Sequence, residues 1–460
     1  MLNLSNYHRV HFIGIGGIGM SALAEILLAR GFKVTGSDMK ESQITDHLAS
    51  MGAKIIIGHK AENVEGADLV IYTAAISETN PEAQRAKELG IPLAPRAELL
   101  GTLMNEVTNS IAVSGTHGKT TTTSMIALIL ENAKFDPTIF VGGELPAIGG
   151  NVKVGKGDYF VAEACEYRDS FLNLRPRIEI ILNIDSDHLD YFKDVQSIEK
   201  SFEKFASYIP EGGTLIAYDA NPFVSQIVQK HPNAITYGYS SNSDYWASDI
   251  HFDNGMPIFQ VHHGDENLGE VRLQIPGEHN ILNSLAAFAC THMLGADPKV
   301  IIETLDSYRG TERRFDVKGT FGPGVKLVDD YAHHPTEIEA TLAAADNIPH
   351  KKLWVLFQPH TYTRTLALFD RFTDAFEKAD MVILADIYAA REKDIYNISS
   401  EKLADAIREK HPDKPVMYMK SFEEIADYVY QHAEKGDLVL TVGAGDIYKV
   451  GDLILKKDEA

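Results

Sequence analysis

The sequence predicts an α/β protein of three domains, each built on a mostly parallel sheet. Three observations carry this expectation. Short apolar runs alternate with segments of helical period over most of the chain, the pattern of strands joined by crossover helices. Two glycine-rich turns, Gly14–Gly19 and Gly115–Gly118, each follow an apolar run and open a helical segment. The length of 460 residues accommodates about three domains at roughly 150 residues each.

The first part, residues 1–107, opens with the strand Val10-His11-Phe12-Ile13, the glycine turn, and a helix entered through Met20 and Ser21. Further strands are expected at 33–36, 54–57 and 68–72. The second part, residues 108–308, begins with the strand Ser110-Ile111-Ala112-Val113 and continues with strands at 159–162 and 178–182. Aromatics, glycines and alternating residues over 234–275 suggest an antiparallel edge or hairpin region. The third part, residues 309–460, carries strands at 325–328, 353–357, 381–384 and 438–441. The final Lys456–Ala460 is expected to be frayed.

Composition narrows the partners. A net charge of −22, from 43 basic and 65 acidic residues, argues against nucleic acid or an anionic membrane, both of which need a basic footprint. Small anionic ligands stay open to it, because a loop and a few cations suffice. Cys165 and Cys290 lie far apart and show no metal spacing, which fits a reducing compartment. The N-terminus lacks the succession of basic, apolar and small residues that marks a leader, and the run around His11–Ile15 is too short to span a bilayer. A cytoplasmic protein, monomeric or weakly dimeric, is expected.

The chemistry sits at predicted strand ends. Ser114-Gly115-Thr116-His117-Gly118-Lys119-Thr120-Thr121 lies between a strand and a helix, where backbone N–H groups and the helix N-terminus point at polyphosphate. Lys119 would contact the β- and γ-phosphates and the Thr120 hydroxyl would ligate Mg²⁺. Val113 stands where the full phosphate-loop pattern has its first glycine, so the short form alone also fits an ordinary turn. Gly14-x-Gly16-Gly17-x-Gly19, with Asp38 at the end of the next strand, reads first as a dinucleotide site. Its physics asks only for a pyrophosphate, which a nucleotide-sugar diphosphate supplies equally well; a purely structural turn is the other alternative.

Glu163-Ala164-Cys165-Glu166 ends a strand in the same part as the phosphate loop, where Mg²⁺ is usually held. Asp185-Ser186-Asp187-His188-Leu189-Asp190 ends the next, and His188 there suits a second metal or a phosphate. Either cluster alone also fits a solvated loop end. Asn280 and Asn283 share a helix face and can pair with an adenine edge or cap the helix. Arg313-Arg314 can reach a phosphate across a cleft, or stay a solvated pair. Asp329-Asp330-Tyr331-Ala332-His333-His334-Pro335-Thr336-Glu337 and Gln358-Pro359-His360-Thr361-Tyr362-Thr363-Arg364-Thr365 are too polar for packing segments. His333, His334 and His360 lack zinc spacing. Asp386–Glu392 is a further polar strand end without an evident use.

Taken together, Gly14–Ser21, Gly115–Thr120, Glu163–Glu166, Asp187-His188, His279-Asn-x-x-Asn283, Arg313–Phe315, Asp329–Glu337 and Phe357–Thr365 resemble, in order and over essentially the whole chain, the Mur ligases of bacterial peptidoglycan synthesis. That family's phosphate loop is the short form. The resemblance implies a Rossmann-like UDP-sugar domain, a central P-loop ATPase domain and a Rossmann-like lid that brings the amino acid. It reassigns Gly14, Gly16, Gly17, Gly19, Met20, Ser21 and Asp38 from a dinucleotide to UDP-N-acetylmuramate, with His117 and His188 near the muramoyl side. It implies ATP as cosubstrate, held by Gly115–Thr121, Asn280, Asn283, Arg314 and Asp330, with two Mg²⁺ ions at Thr120, Glu166 and His188. Tyr331, His333 and Arg364 would face L-alanine, Arg364 pairing its carboxylate. Lys119, Glu166, His188, Arg314, His333 and Arg364 would carry the catalysis.

Two departures from the family pattern stand beside these motifs. Cys165 takes the place where Asp often follows the first Glu-Ala, and Thr361 the place where Arg often follows Gln-Pro-His. The metal-bridging modified lysine of several sister ligases has no assigned counterpart, although Lys200 and Lys204 are nearby. The reaction implied is amide formation between L-alanine and the lactyl carboxylate through an acyl phosphate. The rivals are a murein-tripeptide ligase using the same sugar nucleotide, a nicotinamide-dependent oxidoreductase, and a non-catalytic nucleotide-sugar sensor.

Overall fold

The computed structural model describes residues 2–73, 76, 77, 79–188, 191–390 and 392–458. Asp190 and Arg391, singled out above within polar strand ends, lie outside the described residues, as does Leu189. Among the described residues the strands form three sheets.

The first sheet comprises β1 (Arg9–Ile13), β2 (Lys33–Asp38), β3 (Lys54–Ile57), β4 (Leu69–Tyr72) and β5 (Leu93–Pro95), all parallel, in the order β3-β2-β1-β4-β5. The order reverses at β1, so the crevice beyond its C-terminal end is the expected ligand position of a doubly wound sheet. The glycine turn and the helix Ile18–Ala29 begin there.

The second sheet has ten strands: β6 (Asn109–Ser114), β7 (Thr138–Leu145), β8 (Gly150–Lys153), β9 (Tyr159–Glu163), β10 (Ile178–Ile181), β11 (Thr214–Tyr218), β12 (Ile235–Gly238), β13 (Tyr245–Asp253), β14 (Met256–His263) and β15 (Glu266–Arg272). Their order is β15-β14-β13-β12-β11-β10-β6-β9-β7-β8. Strand β6, which feeds the phosphate loop, therefore lies between β9 and β10, which feed Glu166 and His188. The antiparallel region starts later than its composition suggests. β12 still runs parallel to β11, and only β13, β14 and β15 form an antiparallel meander.

The third sheet holds β16 (Asp316–Phe321), β17 (Val325–Asp330), β18 (Leu353–Phe357), β19 (Met381–Leu384), β20 (Val416–Tyr418) and β21 (Leu438–Val442), ordered β16-β17-β21-β18-β19-β20. Only β16 is antiparallel to its neighbour. All five residues of β18 and of β21 are buried, as strands covered on both faces require.

Contiguous apolar cores support these layers. One runs from Phe12 of the first sheet and Leu103 of the helix Arg96–Met104 to Phe171 and Phe202 under the second, and two further cores cover the faces of the third. Of the segment expected to fray, Glu459 and Ala460 lie outside the described residues, while Lys456–Asp458 are helical. The helix Tyr448–Asp458 persists through Asp458, whose carboxylate accepts from the Gly322 N–H and the Tyr430 hydroxyl, both at 2.8 Å. Among the described residues no helix is long and apolar enough to cross a membrane.

Candidate active site

The phosphate loop is shaped by a glycine that must stay bare. Gly118 takes φ +87° ahead of the helix Lys119–Asn132, and a Cβ there would lie 2.5 Å from Asn283 Oδ1. Asn283 thus packs against the loop, while its amide donates to Asn280 Oδ1 at 3.0 Å. The Asn280 amide in turn donates to the Pro276 carbonyl at 2.7 Å. Both asparagines line the cavity beside the loop. The donor and acceptor of Asn280 are engaged within the protein, so this residue shapes a wall instead of presenting a free edge.

Lys119 folds back over the loop. Its Nζ donates to the Gly115 and Thr116 carbonyls and sits 3.0 Å from Glu166 Oε2. Burial alone would lower the ammonium's pKa, but the Glu166 carboxylate outweighs it and raises it. Glu166, 2% exposed, also approaches His188 Nε2 at 3.7 Å. Thr120 is the second residue of the helix Lys119–Asn132. A hydroxyl and a carboxylate are hard oxygen donors of the kind Mg²⁺ prefers, so this set fits the ion. Cys165 is the neighbouring thiol; burial and Glu166 push its pKa up, leaving it uncharged at neutral pH.

The third sheet reaches into the same cleft. Arg364 Nε and Nη2 both donate to Asp187 Oδ1, at 3.2 and 3.0 Å, and Arg364 Nη1 lies 3.1 Å from His360 Nδ1. A cavity of about 460 Å³ opens beside Asp187, His188, Arg364 and Tyr396. Glu392, in the polar stretch after β19, accepts from the Thr363 N–H at 2.9 Å and so braces the Arg364 helix. His333 is neutral, its imidazole pushed down to about 3 by burial. Its Nδ1 lies 3.0 Å from the Tyr331 carbonyl, an acceptor only, so Nδ1 carries the proton.

His117 joins the two layers. Its Nε2 is 3.2 Å from Asp185 Oδ2 and its Nδ1 is 3.1 Å from Glu337 Oε1. Burial opposes a charge on this ring, yet the two carboxylates raise it to about 9, so it is an imidazolium at neutral pH. Asp185 also accepts from the Thr336 hydroxyl at 2.8 Å, and His334 Nε2 donates to the Ser186 carbonyl at 2.9 Å. His117, Asp185 and His334 lie close enough to share a metal ion. Each ring nitrogen is already hydrogen-bonded, so the trio acts as a clasp between layers.

A second cavity, about 380 Å³, extends from His117, Gly118 and Thr121 past Asn280 to Arg314 and Asp330. Asp330 accepts from the Phe315 and Ala332 N–H groups at 2.8 and 2.7 Å, and burial pushes its carboxyl up to about 6. The arginine pair divides its labour. Arg313 donates to Asp329 at 3.0 Å and to the Gly443 carbonyl at 2.7 Å, which leaves it structural. Arg314 lines the cavity, its guanidinium carbon 5.0 Å from the centre of the Tyr331 ring.

In the first sheet, Asp38 folds inward. It accepts from Gly16 N–H at 2.9 Å and Met39 N–H at 2.7 Å, so it organises the glycine turn. The residue that motif reasoning missed is Arg96. A Cβ on Gly19 would fall 2.8 Å from its Nη1, placing this cation against the first turn of the Ile18–Ala29 helix, which includes Met20 and Ser21. Burial lowers its pKa, and the Glu163 carboxylate of the central layer is the charge facing it, with the Cys165 thiol alongside. One signal could have found it: a cation opening the helix Arg96–Met104 stands where the helix dipole favours an acid. Asp185 and Glu337 were visible within motifs but carried no role of their own.

Three family models match in succession: the Mur ligase family catalytic domain over residues 9–108, the Mur ligase middle domain over 113–291, and the Mur ligase glutamate ligase domain over 313–445. The UDP-N-acetylmuramate–L-alanine ligase of Caldanaerobacter subterraneus is 51% identical over 460 residues, covering 100% of this chain and 99% of its own. That of Alkaliphilus metalliredigens is 52% identical over 449 residues, 97% of each chain. The solved UDP-N-acetylmuramate–alanine ligase of Thermotoga maritima superposes with a TM-score of 0.83 at 29% identity, over 98% of this chain and 99% of that one. A murein peptide ligase from Psychrobacter arcticus gives 0.72 at 25% identity, over 98% of both. Matched by three consecutive models between residues 9 and 445 and by full-length relatives that share half its residues, the chain belongs to the Mur ligase family.

Proposed function

We propose that this chain joins L-alanine to the lactyl carboxylate of UDP-N-acetylmuramate, converting ATP to ADP and phosphate, in the assembly of peptidoglycan precursors. The observation that carries the reading is convergence: Lys119 and Glu166 at the phosphate loop meet Arg364 of the third sheet across Asp187 and His188. Cations for a phosphoryl group and for an amino-acid carboxylate thus face one cleft. The full-length relatives named for this reaction support the same choice.

In this reading residues 1–107 hold the sugar nucleotide, 108–308 the ATP and 309–460 the amino acid, in the cytoplasm. The Gly14–Gly19 turn and Arg96 take the pyrophosphate. Asn280, Asn283, Arg314 and Asp330 border the ATP, and Tyr331 and His333 border L-alanine. Thr120 and Glu166, with His188 alongside, would hold Mg²⁺, which when bound neutralises charge on the transferring phosphoryl group. Lys119 adds positive charge at the same place. The lactyl carboxylate attacks the γ-phosphorus and ADP leaves, giving an acyl phosphate. The amine of L-alanine then attacks the carbonyl carbon. A tetrahedral intermediate forms, loses its proton, and expels phosphate to leave the amide.

The test is phosphate release from ATP with Mg²⁺ and UDP-N-acetylmuramate, with and without L-alanine. Release that needs both substrates is expected. Release with the tripeptide L-Ala-γ-D-Glu-meso-diaminopimelate in place of L-alanine would move the chain to the recycling reaction, and none with either would leave a sensor.

Asp330 adds a pH prediction. Set at the ATP ribose in this reading, it accepts from the sugar hydroxyls as a carboxylate, so ATP affinity should fall as pH drops through about 6. Titration calorimetry of Asp330→Asn should show weaker binding with that pH dependence removed. An unchanged pH dependence in the variant would clear Asp330 of this role.

A further inference from the structure

Glu337 makes contacts that a helix cap does not need. It occupies the third position of the helix Pro335–Asp346 and closes a capping box with His334, its Oε2 accepting from the His333 N–H at 3.1 Å and the His334 N–H at 3.3 Å. The same Oε2 lies 3.3 Å from His333 Nδ1. Its other oxygen, Oε1, crosses to the central layer and meets His117 of the phosphate loop at 3.1 Å, 220 residues away in sequence. Burial opposes its ionisation, yet the His117 imidazolium and the Arg314 guanidinium around it hold the carboxyl well below the ordinary range. Of its two imidazole neighbours, His117 carries the positive charge and His333 is neutral.

We propose that Glu337 is a positioning residue that ties the phosphate loop, through His117, to the His333–His334 turn of the third layer, and so holds the cleft closed while the acyl phosphate awaits the amine. The inference rests on the ligase reading above. Glu337 touches neither reacting atom. One carboxylate oxygen supports the turn that bears His333, and the other fixes the loop that holds the ATP phosphates. Loosening either lets the two layers part, and water then competes with L-alanine. Water adds to the acyl carbon, the bond to the phosphate oxygen breaks, and free carboxylate and phosphate result with loss of protons to solvent. ATP is consumed and no amide forms.

The readout is therefore a ratio, phosphate released per amide formed, with ATP, Mg²⁺, UDP-N-acetylmuramate and saturating L-alanine. A ratio does not change when part of the enzyme is merely unfolded. Wild type should give a ratio near one, and wild type that forms no amide would sink the ligase reading itself. Glu337→Ala should at least double the ratio. Glu337→Gln keeps an oxygen for the cap but offers His117 a neutral amide, so it should also raise the ratio, by less. If the alanine variant does not fold, the glutamine variant decides. A ratio that stays near one in folded Glu337→Gln would overturn the proposal and leave Glu337 a helix cap.

Discussion

Lys119→Ala is expected to lower turnover by at least about 10³-fold, about 4 kcal/mol of transition-state stabilisation. The ammonium is held over the loop by two backbone carbonyls and faces Glu166, so its charge is already placed before substrate arrives. Binding of UDP-N-acetylmuramate, read by titration calorimetry, should stay within about twofold, because that ligand depends mainly on the first sheet's glycine turn. The variant should also melt earlier. Glu166 is 2% exposed and would be left without its counter-charge, the situation in which breaking a buried pair costs about 3–5 kcal/mol. Adding Glu166→Gln to Lys119→Ala should recover much of the lost stability and none of the turnover. Turnover within tenfold of wild type in Lys119→Ala would remove the phosphate-loop assignment.

The second large effect concerns a residue far from chemistry. Glu179 sits in the middle of β10, fully buried, and neither of its carboxylate oxygens has a hydrogen-bond partner. Its register neighbours are Ala112 and Leu215, which belong to the apolar core shared with the first sheet. Burial pushes its carboxyl well above the ordinary value of 4.5, so it stays protonated in the fold. Replacing it with methionine, unbranched and of similar reach, removes an unsatisfied polar group. The gain should be about 1–3 kcal/mol, or roughly 2–4 °C per kcal/mol in the melting of the central layer.

The pH dependence follows from the raised pKa. Below 4.5 the unfolded carboxyl is protonated too, and keeping Glu179 neutral in the fold carries no penalty. As pH rises from there, the unfolded chain ionises while the fold cannot, and wild type loses stability at up to about 1.4 kcal/mol per pH unit. The melting difference between Glu179→Met and wild type should therefore widen between pH 4.5 and 7. A difference that stays constant across that range would mean that Glu179 ionises within the fold.

The order of chemistry along the chain was legible because each motif is local. A glycine turn between a strand and a helix points N–H groups at an anion whatever surrounds it, and Lys119, Glu166 and His188 each follow an apolar run that ends at the same edge of one sheet. Roles that depend on partners were not legible. Arg313 and Arg314 are adjacent and chemically alike, yet Arg313 is spent on Asp329 and the Gly443 carbonyl while Arg314 faces the cavity. Asp38 reads by spacing as part of a nucleotide site, and only the fold shows its carboxylate accepting from the Gly16 and Met39 N–H groups. Arg96 belongs to no motif and gains its meaning only from Gly19, Glu163 and Cys165 around it.

The sequence by itself determined three α/β layers, a glycine turn opening a helix at the head of the central one, and the strand ends that carry polar residues, because hydrophobic period, glycine turns and strand-end polarity act over a few residues. Only the tertiary structure decided that His117 is an imidazolium clasped by Asp185 and Glu337, that Asp330 titrates near 6 and that Glu179 stays neutral. Charge states and cross-layer contacts depend on burial and on partners brought together from distant parts of the chain, and those exist only once the layers have packed.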